Sequence, residues 1–284
     1  MKLQILIIHF NNIFALEKTL FALMRHGIKP DQILVFDNGS NDIAQESLIR
    51  SMAEKGVRTQ CLSINLGWGK AINHVLSSRN FEEESILGIF AHDAILEKID
   101  YAEIQELFKN KYTAIASPQY PDPLVCRYSV GRSFSCESGL ETGKVFAGQM
   151  TACFVRPKII LEVGFDEECF VYGCENEIFL TLKEKHYDVF NLENTIVRNP
   201  STDSDRRFSI YAYTINSIYI AKKHHGWGGF LLRILLVFFS ALRLLVSKNR
   251  RHAYLKINSI YFAIKNPGRG FRTFRAKHSA SLST

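Results

Sequence analysis

The sequence predicts an α/β layer fold, a mostly parallel sheet with flanking helices, followed by a C-terminal basic helical extension. Through the first half, short β-rich runs alternate with helical patterns, the rhythm of parallel strands joined by crossover helices. Several of those runs end in polar residues, and open parallel sheets bind ligands beyond the carboxyl ends of their strands. The extension is marked by charge: Asp205 is the last acidic residue, and residues 206–284 carry 15 basic side chains and no acidic one.

The elements follow in order. Strands are expected at residues 3–9 (LQILIIH), 32–37 (QILVFD), 57–64 (VRTQCLSI), 85–91 (SILGIFA) and 112–117 (YTAIAS). Between the first two, Ile13, Leu16, Leu20 and Leu23 recur at three- and four-residue steps, so one helix face is apolar before Gly27 offers a stop. The connection is βαβ. Residues 119–143 break this rhythm with proline, glycine and serine and read as a long functional loop. A strand near 145–155 and a helix near 175–186 follow, and past residue 206 the pattern is helical throughout.

The 284-residue chain, with 46% hydrophobic and 22% charged residues, has ordinary globular composition, which excludes a disordered or collagen-like polymer. The formal net charge of +7 hides an asymmetry. Residues 1–205 hold 20 basic and 28 acidic side chains, so an acidic body precedes a purely basic tail, a pattern that points to an anionic partner. Six cysteines are scattered without metal-site spacing and read as reduced, cytosolic thiols. The apolar stretch that opens the chain is shorter than a signal-peptide core, so the first strand is expected to start at once.

Within the tail, residues 230–246 (FLLRILLVFFSALRLLV) are apolar except for Arg233, Ser240 and Arg243, which fall in one narrow helical stripe. A span of this length would sit at the lower limit for crossing a bilayer, and each central arginine would cost about 2.5 to 3.5 kcal/mol. Lying in the interface with the guanidinium groups toward the headgroups costs less. Flanking lysines and arginines would add attraction to anionic lipid. The domains are therefore expected at 1–225 and 226–284, the second a basic amphipathic helical membrane-associating region. Packing of this helix into a dimer interface or against a partner protein is the alternative. Nucleic acid is not expected, since the aromatics do not alternate with basic residues.

Four strand ends carry candidate chemistry: His9-Phe10-Asn11-Asn12, Asp37-Asn38-Gly39-Ser40-Asn41-Asp42, Asn65-Leu66-Gly67-Trp68-Gly69-Lys70, and His92-Asp93. Asp37 and Asp93 end separate strands, where an unpaired carboxylate is costly unless solvated or ligand-bound. A turn with Asp42 capping the next helix accounts for Gly39, Ser40 and Asp42 but less well for Asp37. No GxGxxG follows the first strand and no GxxxxGK[ST] occurs, which disfavours a dinucleotide-binding Rossmann domain and a P-loop.

Taken together with Asn73, Gly164-Phe165-Asp166-Glu167 and Tyr172-Gly173-Cys174-Glu175-Asn176-Glu177, these motifs resemble the family-2 inverting glycosyltransferases with the GT-A fold, especially bacterial rhamnosyltransferase-like members. The resemblance covers roughly residues 3–225. It implies a Rossmann-like GT-A domain that transfers a sugar from a nucleotide-diphosphate donor, of UDP or dTDP type, to a saccharide or lipid-linked acceptor. Capsule, O-antigen or lipooligosaccharide assembly at the cytoplasmic face of the cell membrane is the implied setting.

By the same resemblance, Phe10 would stack on the nucleobase and Asp37 accept from a base N–H. Asn65, Lys70 and Asn73 would lie near ribose or diphosphate, with Arg198 as the nucleotide-side cation. Asp93, with His92 as a possible second ligand, would hold Mn²⁺ or Mg²⁺ against the leaving diphosphate. Glu175 takes the place of the general base, and Asp166, Glu167 and Glu177 would sit on the acceptor side. The sequence departs from the family pattern at Ala91 and Cys174, where acidic residues are usual. Two rival readings are a degenerate transferase that binds nucleotide without turnover and a sugar-phosphate nucleotidyltransferase. The latter would want a glycine-rich basic loop after the first strand, which His9-Phe10-Asn11-Asn12 does not offer.

Overall fold

A computed structural model describes residues 3–82, 84–121, 143–145, 150–199, 206–247 and 249–282. The chain divides into two compact units, the first formed by Met1–Leu66, Ala71–Gly164 and Ile178–Pro200, the second by Gly67–Lys70, Phe165–Glu177 and Ser201–Thr284.

The first unit is built on a sheet whose strands β1 (Leu3–His9), β2 (Ile33–Asp37), β3 (Arg58–Cys61), β4 (Ile86–Ala91), β5 (Ile95–Lys98), β6 (Thr113–Gln119), β7 (Gly143–Val145), β8 (Ala152–Val155) and β9 (Asp188–Arg198) run in the order β3-β2-β1-β4-β8-β6-β9-β5, with β7 on β9. The first four are mutually parallel, as the alternating pattern predicts. Beyond β4 the sheet becomes mixed: β8 pairs antiparallel with β4 and β6, and β9 is parallel to β6 but antiparallel to β5 and β7. Strands β5 and β9 were not anticipated. Both are half-buried and rich in polar residues, so they lack the apolar run of a central strand. The expected strand at 57–64 is shorter, and the one near 145–155 resolves into β7 and β8.

Helices α1 (Ile13–Arg25) and α2 (Asp42–Glu54) follow β1 and β2, each capped by an asparagine. Asn12 accepts from the Ala15 N–H and Asn41 from the Ala44 N–H, satisfying donors that a helix start leaves without intrahelical partners. Leu16, Leu20 and Leu23 pack into the same core as Ile5, Ile7, Val35 and Phe90. The later helices are α3 (Trp68–Ser77), α4 (Tyr101–Lys109), α5 (Pro157–Val163) and α6 (Cys174–Glu184). The irregular segment at 119–143 lies, from residue 122 to 142, outside the described residues.

In the second unit, α7 (Arg206–Val246), α8 (Arg250–Lys265) and α9 (Phe271–Leu282) form a helical assembly. Gly226, at φ 63° and ψ −154°, interrupts the helical path of α7. One cluster joins Phe170, Ala212, Ile215, Phe262, Phe271 and Phe274, and another joins Ile218, Phe230, Val237, Ile260 and Ala263. The polar stripe of α7 does not point outward as expected. Arg233 donates to the Ser217 hydroxyl at 3.0 Å and Ser240 accepts from Lys256 at 2.6 Å, while Arg243 alone of the three is exposed. Arg233 and Ser240 thus find partners within the helical assembly, while Leu231, Leu235, Phe238 and Phe239 of the same helix are exposed.

Candidate active site

The strand order places β1 between β2 and β4, with the chain reversing its direction of travel across the sheet between β1 and β4. That is the switch point at which open α/β sheets bind ligands. His9 ends β1, Asp37 ends β2 in register with it, and His92 and Asp93 form the turn after β4. The rings of His9 and His92 meet edge to face across the switch point, with centroids 5.6 Å apart.

Asp37 is fully buried and densely bonded. Its Oδ1 accepts from His9 Nδ1 at 2.7 Å and from the Ser40 hydroxyl. Its Oδ2 accepts from the Ser40 N–H at 3.0 Å and from Gln45 Nε2 at 2.8 Å. Burial pushes the Asp37 pKa up, but hydrogen bonds from His9, Ser40 and Gln45 outweigh it and hold the carboxyl below its ordinary value. An ionised carboxylate only accepts, so the His9 Nδ1 carries the proton in this pair. His9 Nε2 is buried and has no hydrogen-bond partner among the described residues. Burial also lowers the pKa of His92, with Asp93 opposing and His9 adding to the effect.

The loop after Asp37 is stitched to its neighbours. Asn38 donates to Asn65 Oδ1 at 3.2 Å and accepts from the Leu66 N–H at 2.9 Å; the Asn11 N–H donates to the Ser40 hydroxyl and Asn11 accepts from the Asn41 N–H. Gly39 has φ +79°, and a Cβ there would lie 2.3 Å from the Ile64 carbonyl carbon, so only glycine lets these two segments approach. Asn65 is thereby fixed beside the Asp37 loop. Phe10 is 40% exposed at the end of β1, and Asn73 is partly buried on α3. Arg198, at the end of β9, pairs with Glu97 at 2.8 Å.

The remaining candidates belong to the second unit, where Lys223 of α7 bridges two carboxylates at 2.6 Å each, Asp166 and the almost fully buried Glu177. Tyr219 also donates to Asp166 at 2.6 Å. For both acids burial pushes the pKa up, but hydrogen bonds from Lys223 and Tyr219 to Asp166, and the His224 ring at 3.6 Å together with a hydrogen bond from Lys223 to Glu177, prevail and lower it. Glu167 is half-exposed and pairs with Lys70 at 2.6 Å and Arg272 at 3.5 Å. Lys70 is thus held by a carboxylate in the second unit, whereas Asn73 belongs to the first.

Glu175, in the first turn of α6, is separate from the Lys223 clamp. Its Oε2 accepts from the Gly173 N–H at 2.9 Å and from the buried Cys174 thiol at 3.5 Å. Protein packed around this carboxyl raises its pKa, and the hydrogen bonds offset only part of that cost. In its ionised form, a carboxylate of raised pKa is a stronger proton acceptor than a solvated glutamate. The turn that presents it holds Tyr172 at φ 50° and Gly173 at φ 96°. Asn216 of α7, fully buried, donates to the Val171 and Tyr172 carbonyls at 3.0 and 2.7 Å and accepts from the Phe271 N–H at 2.8 Å.

Gln45, Lys223 and Asn216 were not among the sequence candidates for the site, and His9 and Ser40 stood there only as polar residues of strand-end runs with no role of their own. His9 was visible as a strand-end polar residue and Asn216 as a lone amide in an apolar helix stretch, but their partners lie 28 to 55 positions away.

Among the described residues no group of three or more His, Cys, Asp or Glu side chains gathers as a metal cage. His92 and Asp93, adjacent in one turn, offer at most one nitrogen and one carboxylate. That donor set fits a Mg²⁺- or Mn²⁺-type ion whose other ligands are substrate phosphates and water.

No protein-family model and no curated protein matches the sequence. Solved structures do. The chain is similar to GalNAc-T7, solved with UDP, GalNAc and Mn²⁺, at 12% identity and TM-score 0.60, over 76% of this chain and 47% of that one. It is similar to the mannosyltransferase PcManGT from Pyrobaculum calidifontis, solved with GDP-Man and Mn²⁺, at 13% identity and TM-score 0.58, over 98% and 84%. Residues 1–349 of S. aureus TarS match at 13% identity and TM-score 0.53, over 82% and 71%. The chain therefore spans about half the length of GalNAc-T7 and most of the other two. At identities this low the likeness is one of architecture: the mixed sheet and its flanking helices are the GT-A fold found in these glycosyltransferases.

Proposed function

We propose that the chain is a nucleotide-sugar-dependent glycosyltransferase of the family-2, rhamnosyltransferase-like type that works by single displacement with inversion. The observation that carries this reading is the polar cluster of His9, Asp37, Asn38, Asn65, His92 and Asp93 at the switch point of a GT-A sheet. In this proposal the UDP or dTDP moiety is bound by Phe10, Asp37, Asn65, Lys70, Asn73, Asp93 and Arg198. Asp37 takes a base N–H by exchanging one of its four present donors. Gln45 is the one that can yield, because its Nε2 already donates to the Leu62 carbonyl at 2.6 Å.

An acceptor hydroxyl attacks the anomeric carbon as the bond to the diphosphate oxygen breaks. Glu175 takes the hydroxyl proton, and the nucleoside diphosphate leaves with the bonding pair. Asp93, with His92, would hold a divalent cation, which when bound neutralises charge growing on the leaving diphosphate. The Mn²⁺ in GalNAc-T7 and PcManGT supports this assignment. Asp166, Glu167 and Glu177 shape the acceptor side. Because Lys223 and Lys70 engage these three carboxylates, their part is to hold the acceptor region in place rather than to move protons.

The acceptor is proposed to be a saccharide, free or lipid-linked, in bacterial surface polysaccharide or lipopolysaccharide synthesis. The protein is peripheral on the cytoplasmic face of an anionic membrane, its basic residues 226–284 forming the attachment. A transfer assay with UDP-, dTDP- and GDP-sugars, with and without Mn²⁺, tests the reading, with anomeric configuration followed by NMR. Loss of transfer in both Glu175→Gln and Asp93→Ala is expected; transfer intact in both overturns the assignment. A second reading, nucleotide binding without turnover, draws on Cys174 beside Glu175 and on the four donors already on Asp37. It predicts nucleotide binding with no transfer to any saccharide.

A further inference from the structure

The helices after Gly226 leave one apolar surface uncovered. In α7, Leu231, Leu235, Phe239 and Leu242 recur at four- and three-residue steps and are 58%, 52%, 63% and 39% exposed. In α8, Tyr254, Ile257, Tyr261 and Ile264 recur at three- and four-residue steps and are 63%, 40%, 63% and 56% exposed. Each set is one face of a helix. The two helices pack on each other through Phe230, Val237, Ile260 and Ala263, and the polar groups of the seam, Ser240 and Lys256, bond to each other. Soluble monomers rarely expose apolar patches beyond a few hundred Å². Arg243, Arg250, Arg251 and Lys265 are exposed on the same two helices.

We propose that α8 and the part of α7 after Gly226 form a two-helix raft that lies in the plane of an anionic bilayer, its apolar surface inserted at the boundary of headgroups and acyl chains. This deepens the attachment proposed above by making apolar insertion, with charge as an aid, the source of binding. Charge selects the occupant. With 15 basic and no acidic side chains in residues 206–284, a second copy would bring like charge against like, whereas an anionic bilayer supplies the counter-charge. The 18-residue window of α7 has mean hydropathy 2.2, enough to cross a membrane by composition. Crossing would also carry α8 inward with Lys256 and its Arg250, Arg251 and Lys265 ends, at about 2.5 to 3.5 kcal/mol for each charge brought to mid-bilayer. Lying flat leaves the exposed Arg250, Arg251 and Lys265 at the headgroups, while Lys256 keeps Ser240 as its partner in the seam.

The test uses the full chain and vesicles of equal parts phosphatidylglycerol and phosphatidylcholine, with no donor or acceptor, so its failure would leave the transferase reading standing. Sedimentation with the vesicles is expected to weaken but persist at about 1 M salt, where screening acts within about 3 Å. The double variant Leu235→Glu/Phe239→Glu, both positions exposed, should lower the partition coefficient by about tenfold per substitution. Depth is read separately. Single tryptophans at 227, at 235 (Leu235→Trp) and at 245 (Leu245→Trp), each in a background where any other tryptophan is phenylalanine, span about 27 Å of helix. Brominated acyl chains should quench all three to the same shallow depth. Deep quenching at 235 with shallow quenching at 227 and 245 means a span and overturns the proposal. Complete release by salt, unchanged partition of the double variant, or a solution dimer that the double variant abolishes without any vesicle binding also overturns it.

Discussion

Asn216→Ala tests whether the Glu175 turn is held from α7. The substitution removes three hydrogen bonds, to the Val171 and Tyr172 carbonyls and from the Phe271 N–H. A buried group left without a partner costs about 1 to 3 kcal/mol. Val171 and Tyr172 are partly exposed, so water can reach their carbonyls and the lower figure applies to each; Phe271 is fully buried and takes a middle value. The sum is about 4 kcal/mol, a large part of the roughly 5 to 15 kcal/mol that stabilises a domain. Urea denaturation followed by tryptophan fluorescence should show the midpoint fall with little change in slope. Asn216→Asp keeps the acceptor for Phe271 but turns a carboxylate toward two carbonyls, so at neutral pH it should be at least as damaging as alanine. The Gly173 N–H that bonds Glu175 follows the two anchored carbonyls in the chain, so any saccharide transfer should fall in kcat more than in KM. A loss below about 1 kcal/mol for Asn216→Ala would refute the reasoning, since a single solvated hydrogen bond is worth that much.

Further outcomes follow from the two clusters. Glu175→Gln should lower transfer by about 10² to 10⁴-fold, the range for a lost general base, while keeping an acceptor for the Gly173 N–H. Because burial raises the Glu175 pKa, the ionised form is disfavoured in the fold, and its contribution to stability falls as pH rises through the folded value. Denaturation should therefore find Glu175→Gln no less stable than wild type at neutral pH, and the acid limb of wild-type activity should lie above the ordinary glutamate range. Lys223→Met leaves the buried Glu177 with His224 as its nearest base, and should cost about 2 to 3 kcal/mol, less than a fully buried pair because Lys223 is part-exposed. The Asp166 and Glu177 pKa values are lowered in the fold, so their contribution is present above the unfolded carboxyl range and lost as pH falls below about 4. In Lys223→Met that acid-side loss should flatten, which stability measurements against pH will show. For the base site, calorimetry with UDP should find Gln45→Ala within about threefold of wild type and His9→Phe at least tenfold weaker, since a charge-assisted bond to Asp37 is worth about 1.5 to 3 kcal/mol; equal affinities would remove His9 from the positioning of Asp37.

The first four parallel strands and α1 were legible in the sequence because their signals are local. Apolar runs bounded by turn residues and a three-to-four-residue helical repeat need no distant partner to be recognised. The carboxylates at strand ends could be picked out for the same reason, since Asp37 and Asp93 interrupt or follow apolar strands where burial of charge is costly. Pairing was not local. β9 finds β6 and β5 on either side only when the chain returns across the sheet, and its alternation of polar and apolar residues matches an extended edge as well as a loop.

Tertiary structure likewise decided what each candidate touches. Asp37 is clasped by three elements, His9 from β1, Ser40 from its own loop and Gln45 from α2, so the depth of its hydrogen bonding follows from the β1–β2 register. Glu177, an ordinary helix-start acid by position, became a buried ion-pair partner because α7 delivers Lys223 to it. The direction of the α7 stripe was decided in the same way. Composition alone determined that the tail is basic and greasy; only packing against α8 determined that Ser240 faces inward and Leu235 and Phe239 face out, because a polar group removed from water must find a partner and an apolar one need not.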